Sequence, residues 1–301
     1  MKSKILVTGA TGFLGGHLVA ALGARGYAVR AHSSRQGDIS RYALPVEGVA
    51  HVFHLAARTF VPDSWTDPQA FYRVNLLGTL NVLEHCRRHG TPLTLISSYV
   101  YGHPQSLPIA EDHPREAFNP YAQSKIFAED LATFYEIHFG LRVVIVRPFN
   151  LYGPRQRPPF LIPVITEQAL NPAASVIRLK DSRPRRDYLY VTDAIEFLLA
   201  TMRKEAKGIY NLGSGESVSV GEVAELIRKA AGTDKAIVSD EQPRPHEVMD
   251  VRADICRAAE LGWQPATTLP DGIEKVVTAS AREVAVNHRL KGEVLAHSDC
   301  L

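Results

Sequence analysis

The chain has 301 residues, 45% of them hydrophobic and 22% charged, with a formal net charge of +2. That length allows one large or two modest domains with a real core, and the near-neutral balance gives no overall field toward nucleic acid or membrane. Three scattered cysteines, Cys86, Cys256 and Cys300, outline neither a disulfide framework nor a zinc site, and with no apolar run of spanning length and no leader-like start a reducing cytoplasm is expected.

The first stretch, Ile5-Leu-Val-Thr-Gly9-Ala-Thr-Gly12-Phe-Leu-Gly15, is an apolar run of strand length meeting three glycines. Phe13, Leu14, Leu18, Val19 and Leu22 follow at helical spacing. A strand, a tight turn and a helix start make a phosphate cradle. Gly9 permits the turn, Gly12 admits a pyrophosphate to the backbone, and Gly15 lets helix and strand pack closely. Tyr27-Ala-Val-Arg-Ala-His reads as a second strand. It ends in Ser33-Ser34-Arg35, without the carboxylate that grips the ribose in NAD sites and with a cation able to pair a 2′-phosphate. This tilts the cofactor toward NADP, with NAD as the alternative. Asp38 follows closely and could accept a bond from the adenine amino group.

Val49 to Ala57 reads as a buried strand and Phe71 to His85 as a helix carrying Asn75. His85 and His89 stand one turn apart, but no third ligand accompanies them, so no metal site is expected. Leu93 to Gly102 is a strand ending in Ser97-Ser98. Asn119-Pro-Tyr121 opens a helix that runs through Phe134, and Leu141 to Pro148 is a β-branched strand. Strands alternating with helices give a Rossmann-type, doubly wound parallel sheet in an α/β fold. From Phe149 the composition changes, and Ser182-Arg-Pro-Arg-Arg-Asp187 is the densest basic patch. A smaller α/β C-terminal substrate domain is expected from residues 156–186 and 217–285. The dinucleotide domain would take 1–155, with 187–216 returning to it and 286–301 as a polar tail.

Tyr121 and Lys125 share one helical face. A tyrosine hydroxyl, ordinarily titrating near ~10, needs a neighbouring ammonium and the positive nicotinamide ring to become accessible as a base. A serine from the preceding strand can hold the substrate oxygen, so the set suits moving a proton at an oxygen while hydride moves at its carbon.

Gly9-Ala-Thr-Gly12-Phe-Leu-Gly15, Leu55-Ala-Ala57, Ser97-Ser98…Val100-Tyr-Gly102, Tyr121…Lys125 and Arg147-Pro-Phe-Asn150 together resemble the extended short-chain dehydrogenase/reductase superfamily. The chain is most similar to its nucleotide-sugar epimerase, dehydratase and 4-keto-reductase branch, through Arg186-Asp-Tyr188, Val191-Thr-Asp193, Asn211-Leu-Gly213, Arg244-Pro-His-Glu247 and Leu261-Gly-Trp263 as well. The resemblance implies Tyr121 as acid/base, Lys125 as its electrostatic partner and Ser97 as the hydroxyl on the reacting oxygen. Ser97 lies four residues before Tyr101, the usual distance; the strand end is one residue short, so Ser98 is the alternative. It implies a dinucleotide lying against Gly9, Gly12, Phe13, Leu14 and Gly15, against Ser33, Ser34, Arg35, Asp38 and Ile39, and against Leu55, Ala56, Ala57, Asn75, Tyr121, Lys125 and Pro148. Asn150, Arg186 and Arg244 would meet the sugar or its diphosphate, and Glu247 the nucleoside ribose. Phe160 departs from the asparagine of many epimerases.

Three activities share such a site. A 4,6-dehydratase carries an Asp-Glu pair where this chain has Ser98-Tyr99, which argues against it. The Ser-Ser-Arg strand end favours reduction of an NDP-4-keto-(6-deoxy)hexose, as does the likeness of His54-Leu-Ala-Ala-Arg-Thr-Phe-Val-Pro to GDP-6-deoxy-4-keto-mannose reductases. NDP-sugar 4-epimerisation is the alternative. Relatives that bind dinucleotide without chemistry lose the tyrosine or lysine, and both are present here. The partners expected are a nucleotide-diphosphate sugar and a second copy of the chain, the latter through the helices around residues 71–89 and 121–139.

Overall fold

The computed structural model describes residues 3–243 and 247–298, with side chains up to residue 285. In chain order the elements are β1 (Lys4–Thr8), α1 (Phe13–Ala24), β2 (Ala28–His32), β3 (Val49–His54), α2 (Val61–Thr66) and α3 (Pro68–Phe71). A π-helical turn, Tyr72–Leu77, leads into α4 (Gly78–His89), followed by β4 (Leu93–Ile96), α5 (Pro120–Phe139), β5 (Val143–Pro148) and β6 (Asn150–Tyr152). Then come α6 (Leu161–Leu170), β7 (Val176–Leu179), β8 (Arg185–Arg186), β9 (Tyr188–Tyr190), α7 (Val191–Arg203) and β10 (Gly208–Leu212). The last are β11 (Val218–Ser219), α8 (Val220–Ala230), β12 (Ala236–Ser239), α9 (Cys256–Glu260) and α10 (Leu269–Ser298). The chain divides into two compact units, one of residues 1–151, 187–216 and 251–265, the other of 152–186, 217–250 and 266–301.

The first unit holds a six-stranded sheet in the order β10-β5-β4-β3-β1-β2, parallel throughout. Its central strands are apolar on both faces because helices cover both. Leu18 and Leu22 of α1 pack with Phe197, Leu198 and Leu199 of α7 on one face. Val82, Leu83 and Cys86 of α4 pack with Ala132 and Tyr135 of α5 on the other. Fully burying a leucine, valine or phenylalanine side chain among these is worth about 1.5–3 kcal/mol. The strand order reverses at β1, which has β2 on one side and β3 on the other. Ligands of such sheets bind in the crevice outside the strand ends at that reversal. Among the described residues the segment from 33 to 48 forms no strand, so β2 is the sheet's edge. Leu44 and Val46 from that segment are buried instead.

Two histidines of β3 are buried within this sheet. His51 bonds Thr94 at 2.8 Å, and His54 lies between Thr8 and Thr79. Burial lowers each from 6.5 to about 3. The unfolded chain therefore binds more protons below pH 6.5, and stability falls as pH falls from 6.5 toward 3. At pH 5.5 the loss is about 1.4 kcal/mol for each histidine. Urea midpoints at pH 7.5 and 5.5 test this: His51→Asn is expected to remove about half of the difference, and equal midpoints in the unmutated chain would refute it.

In the second unit β7 and β12 pair in parallel and β8 and β11 antiparallel. α6, α8 and α10 pack on one another. Ser219 and Glu222 close a reciprocal capping box at the start of α8. α10 continues to Ser298, into the stretch expected as a polar tail. Among the described residues no helix is long and apolar enough to cross a membrane.

Candidate active site

The glycine turn after β1 is built by close approach. Gly9 has φ +69°, and a Cβ there would lie 2.7 Å from the Ala56 nitrogen and the Leu55 carbonyl carbon. A Cβ on Gly15 would lie 2.1 Å from the Gly9 oxygen. Gly12 is the N-cap of α1, and no side chain caps it. The first-turn N–H groups, with the positive end of the helix dipole, therefore face whatever sits over the turn. Phe13 and Leu14 open that helix. Gly15→Ala is expected to weaken dinucleotide binding by at least about tenfold, since a methyl cannot coexist with the Gly9 carbonyl. Fluorescence titration with NADPH tests this, and an unchanged affinity would show that the turn does not hold the cofactor.

α5 starts where the sequence provides a cap. The Asn119 side chain accepts the Ala122 N–H at 2.8 Å, and Pro120 occupies the first helical position. Tyr121 and Lys125 follow on one face. The Ser98 hydroxyl is the polar neighbour of the Tyr121 phenol and favours its ionised form. At standard geometry neither the Ser98 nor the Ser97 hydroxyl has a hydrogen-bond partner. The count back from Tyr101 singled out Ser97, with Ser98 as the alternative; of the two, Ser98 is the one whose hydroxyl bears on the phenol's ionisation. β4 stops at Ile96, and the Ser97 N–H pairs with the Val146 carbonyl at 2.7 Å.

Burial, the larger influence, holds the Tyr121 phenol above its ordinary range, against the Ser98 contact. The expected lowering calls on the positive nicotinamide ring together with Lys125. The Lys125 ammonium instead donates to the Ile96 carbonyl at 2.5 Å. Burial pulls Lys125 down to about 8, opposed by Glu129 one turn along. The phenol is thus protonated at neutral pH, the state a proton donor needs.

Asn75 sits in the π-helical turn, where periodicity predicted plain helix. Such turns recur at functional sites. Its side chain accepts the Arg58 N–H at 2.9 Å and donates to the Arg58 carbonyl at 3.0 Å and the Ser124 hydroxyl at 2.9 Å. At the end of β2, Ser33 gives both its N–H and its hydroxyl to the Gln36 side-chain oxygen. Ser34 and Arg35 are exposed beside it. Asp38 caps its own turn through Ser40 and pairs with Arg73 at 3.6 Å. Ile39 is buried against Gly78. Pro148 ends β5 in register with Leu212. The Asn150 amide donates to the Asp187 carbonyl at 3.1 Å.

A buried network beneath this site escaped the sequence reading. Arg147, 2% exposed, makes bonds of 2.7–3.2 Å to the Glu129 carboxylate. It also donates to the Tyr101 hydroxyl and the Glu111 carbonyl, both at 2.9 Å. Tyr101 in turn donates to Asn211 at 2.5 Å. The Asp187 carboxylate accepts from Ser214, Gly215 and Ala253.

Within the second unit Arg186 pairs with Glu247 and donates to the Val248 carbonyl at 2.6 Å. The two residues expected to meet different parts of a nucleotide sugar are thus each other's partners. Arg244 lies outside the described residues. Phe160 is exposed and precedes α6. Among the described residues no three His, Cys, Asp or Glu side chains gather as a metal site.

A parallel sheet with its glycine turn at the strand reversal, and a Tyr–Lys helix beside it, define a Rossmann-type nucleotide-binding enzyme fold. The sequence profile of the NAD dependent epimerase/dehydratase family matches residues 5–213. GDP-6-deoxy-D-mannose reductase of Pseudomonas aeruginosa is 34% identical over 298 residues, covering 92% of this chain and 97% of that protein. A putative UDP-glucose 4-epimerase of Methanocaldococcus jannaschii is 31% identical over 298 residues, covering 91% of this chain and 97% of that protein. The solved structure of RMD from Pseudomonas aeruginosa complexed with NADPH superposes with a TM-score of 0.85 at 31% identity, covering 94% of this chain and 100% of that one. The chain belongs to the NAD-dependent epimerase/dehydratase family, as an enzyme of its NAD(P)-dependent nucleotide-sugar epimerases, dehydratases and reductases.

Proposed function

We propose that the enzyme reduces the C4 keto group of an NDP-4-keto-6-deoxyhexose, with NADPH as hydride source. The observation that carries this reading is the half-buried, protonated Tyr121 phenol beside Ser98 at the head of α5. The fit of a dinucleotide rests on the crowded glycine turn and the uncapped start of α1. Bound against these, a nicotinamide supplies hydride to C4. The Ser98 hydroxyl donates a hydrogen bond to the carbonyl oxygen and orients it, with Ser97 as the alternative. The Tyr121 hydroxyl passes its proton to that oxygen as negative charge grows there, and the Lys125 ammonium stabilises the phenolate left behind. Arg186 and Glu247, with Arg244 and Asn150, are proposed to bind the nucleotide sugar, and two copies to pair through α4 and α5.

NADPH is preferred in this reading because the end of β2 carries exposed Arg35 and no carboxylate. Purified enzyme is expected to oxidise NADPH with a GDP-4-keto-6-deoxyhexose, followed at the nicotinamide absorbance. NADPH is expected to bind more tightly than NADH, and Arg35→Ala to erase the difference. Equal affinities would remove this support. The second reading, 4-epimerisation, is favoured by the likeness to the Methanocaldococcus protein. It predicts interconversion of UDP-sugars with no net absorbance change.

A further inference from the structure

His54 is not among the residues assigned to binding or chemistry, yet it sits in a hydrogen-bond chain whose direction is fixed by counting protons. The Thr79 hydroxyl donates its one hydrogen to the Asn75 carbonyl at 2.6 Å, since a carbonyl can only accept. Toward His54, 3.1 Å away, Thr79 can then only accept, so His54 Nε2 carries a hydrogen. A neutral ring with Nε2–H has a bare Nδ1, which accepts the Thr8 hydroxyl at 2.7 Å. The Thr8 hydrogen being spent, its oxygen accepts the Ala56 N–H at 3.3 Å. Asn75 carries the linkage onward: both its amide hydrogens are used, on Arg58 and Ser124, and Ser124 donates to the Tyr121 carbonyl at 2.7 Å.

Each member has the one orientation its neighbours permit. The chain ties the last residue of β1 and the strand end beneath the glycine turn to the head of the helix that carries the phenol. We infer that His54, held as the neutral Nε2–H tautomer, is a positioning residue. It joins the floor of the dinucleotide cradle to Tyr121 through Thr79, Asn75 and Ser124. A protonated ring would set Nδ1–H against the Thr8 hydroxyl and reverse that bond, so burial in the neutral form is part of the device.

The inference rests on Tyr121 acting as the proton donor, and the test keeps the two claims apart. Histidine-labelled enzyme is first examined by long-range nitrogen–proton correlation between pH 5.5 and 8. His54 is expected to show Nε2–H throughout, whatever the reaction proves to be; an Nδ1–H ring overturns the proposal. Thr79→Val, nearly isosteric, then removes both bonds of that hydroxyl. With Tyr121 turnover established in the parent, kcat of the folded Thr79→Val enzyme is expected to fall about 10- to 100-fold, as for a misplaced reacting group. Its NADPH affinity and KM are expected to stay near the parent's, and the limb of the pH–rate profile that depends on Tyr121 to move. Thr79→Ser, which keeps the hydroxyl, is expected to restore both kcat and the profile. A lower Tm with unchanged kcat and an unmoved limb would make the chain structural only and overturn the inference. His54→Phe supplies a second variant, overturning it if folded enzyme keeps the parent's kcat.

Discussion

Tyr121→Phe is expected to lower kcat by about 10²- to 10⁴-fold, the range for losing a positioned proton donor. The ring itself should stay in place. Phe71 packs edge-on against it with centroids 6.2 Å apart, and that contact does not involve the hydroxyl. NADPH affinity and Tm are therefore expected to change little, which separates a chemical loss from a folding one. The pH profile sharpens the test. Burial raises the phenol, so the donor is fully protonated at neutral pH and is lost only on the alkaline side. The parent rate should accordingly hold through neutrality and fall at high pH, and the residual rate of the variant should lose that limb. Undiminished turnover in Tyr121→Phe would place the proton transfer elsewhere.

Arg147→Met is expected to cost about 3–5 kcal/mol, because it leaves the Glu129 carboxylate charged and buried. The two side chains are 2% and 1% exposed. Arg115 also reaches Glu129, at 3.3 Å, but it is only one contact where three are removed. The Tyr101 hydroxyl and the Glu111 carbonyl lose a donor in the same substitution. For a domain of this size the expected fall in Tm is about 10 °C. Adding Glu129→Leu should recover part of it, since the uncompensated charge is then gone. If the single variant melts with the parent, the pair carries no such weight.

The parallel sheet was legible because its signals are local: an apolar run meeting Gly9, then strands alternating with amphipathic helices. The site was legible only as far as local spacing carries. Tyr121 and Lys125 share a face by helical geometry alone. The short strand end, with β4 stopping at Ile96, was legible and kept both Ser97 and Ser98 in view. The π-helical turn at Asn75 was not legible because apolar spacing over so short a stretch identified a helix without fixing the size of its turns. Arg147 in a β-branched run gave no sign of Glu129, 18 residues away. The Arg186–Glu247 pair joins residues 61 apart, beyond any periodic signal.

The sheet's two rims bear on where the first unit opens. β2 is held by β1 alone, with the segment after it pinned at points such as the Arg30 bond to the Pro45 carbonyl at 2.6 Å. β3, β4 and β5 are each flanked on both sides. Local opening is cheapest where a strand has one neighbour. Opening is thereby cheaper at β2, and at β10 on the other rim, than at the flanked strands between them.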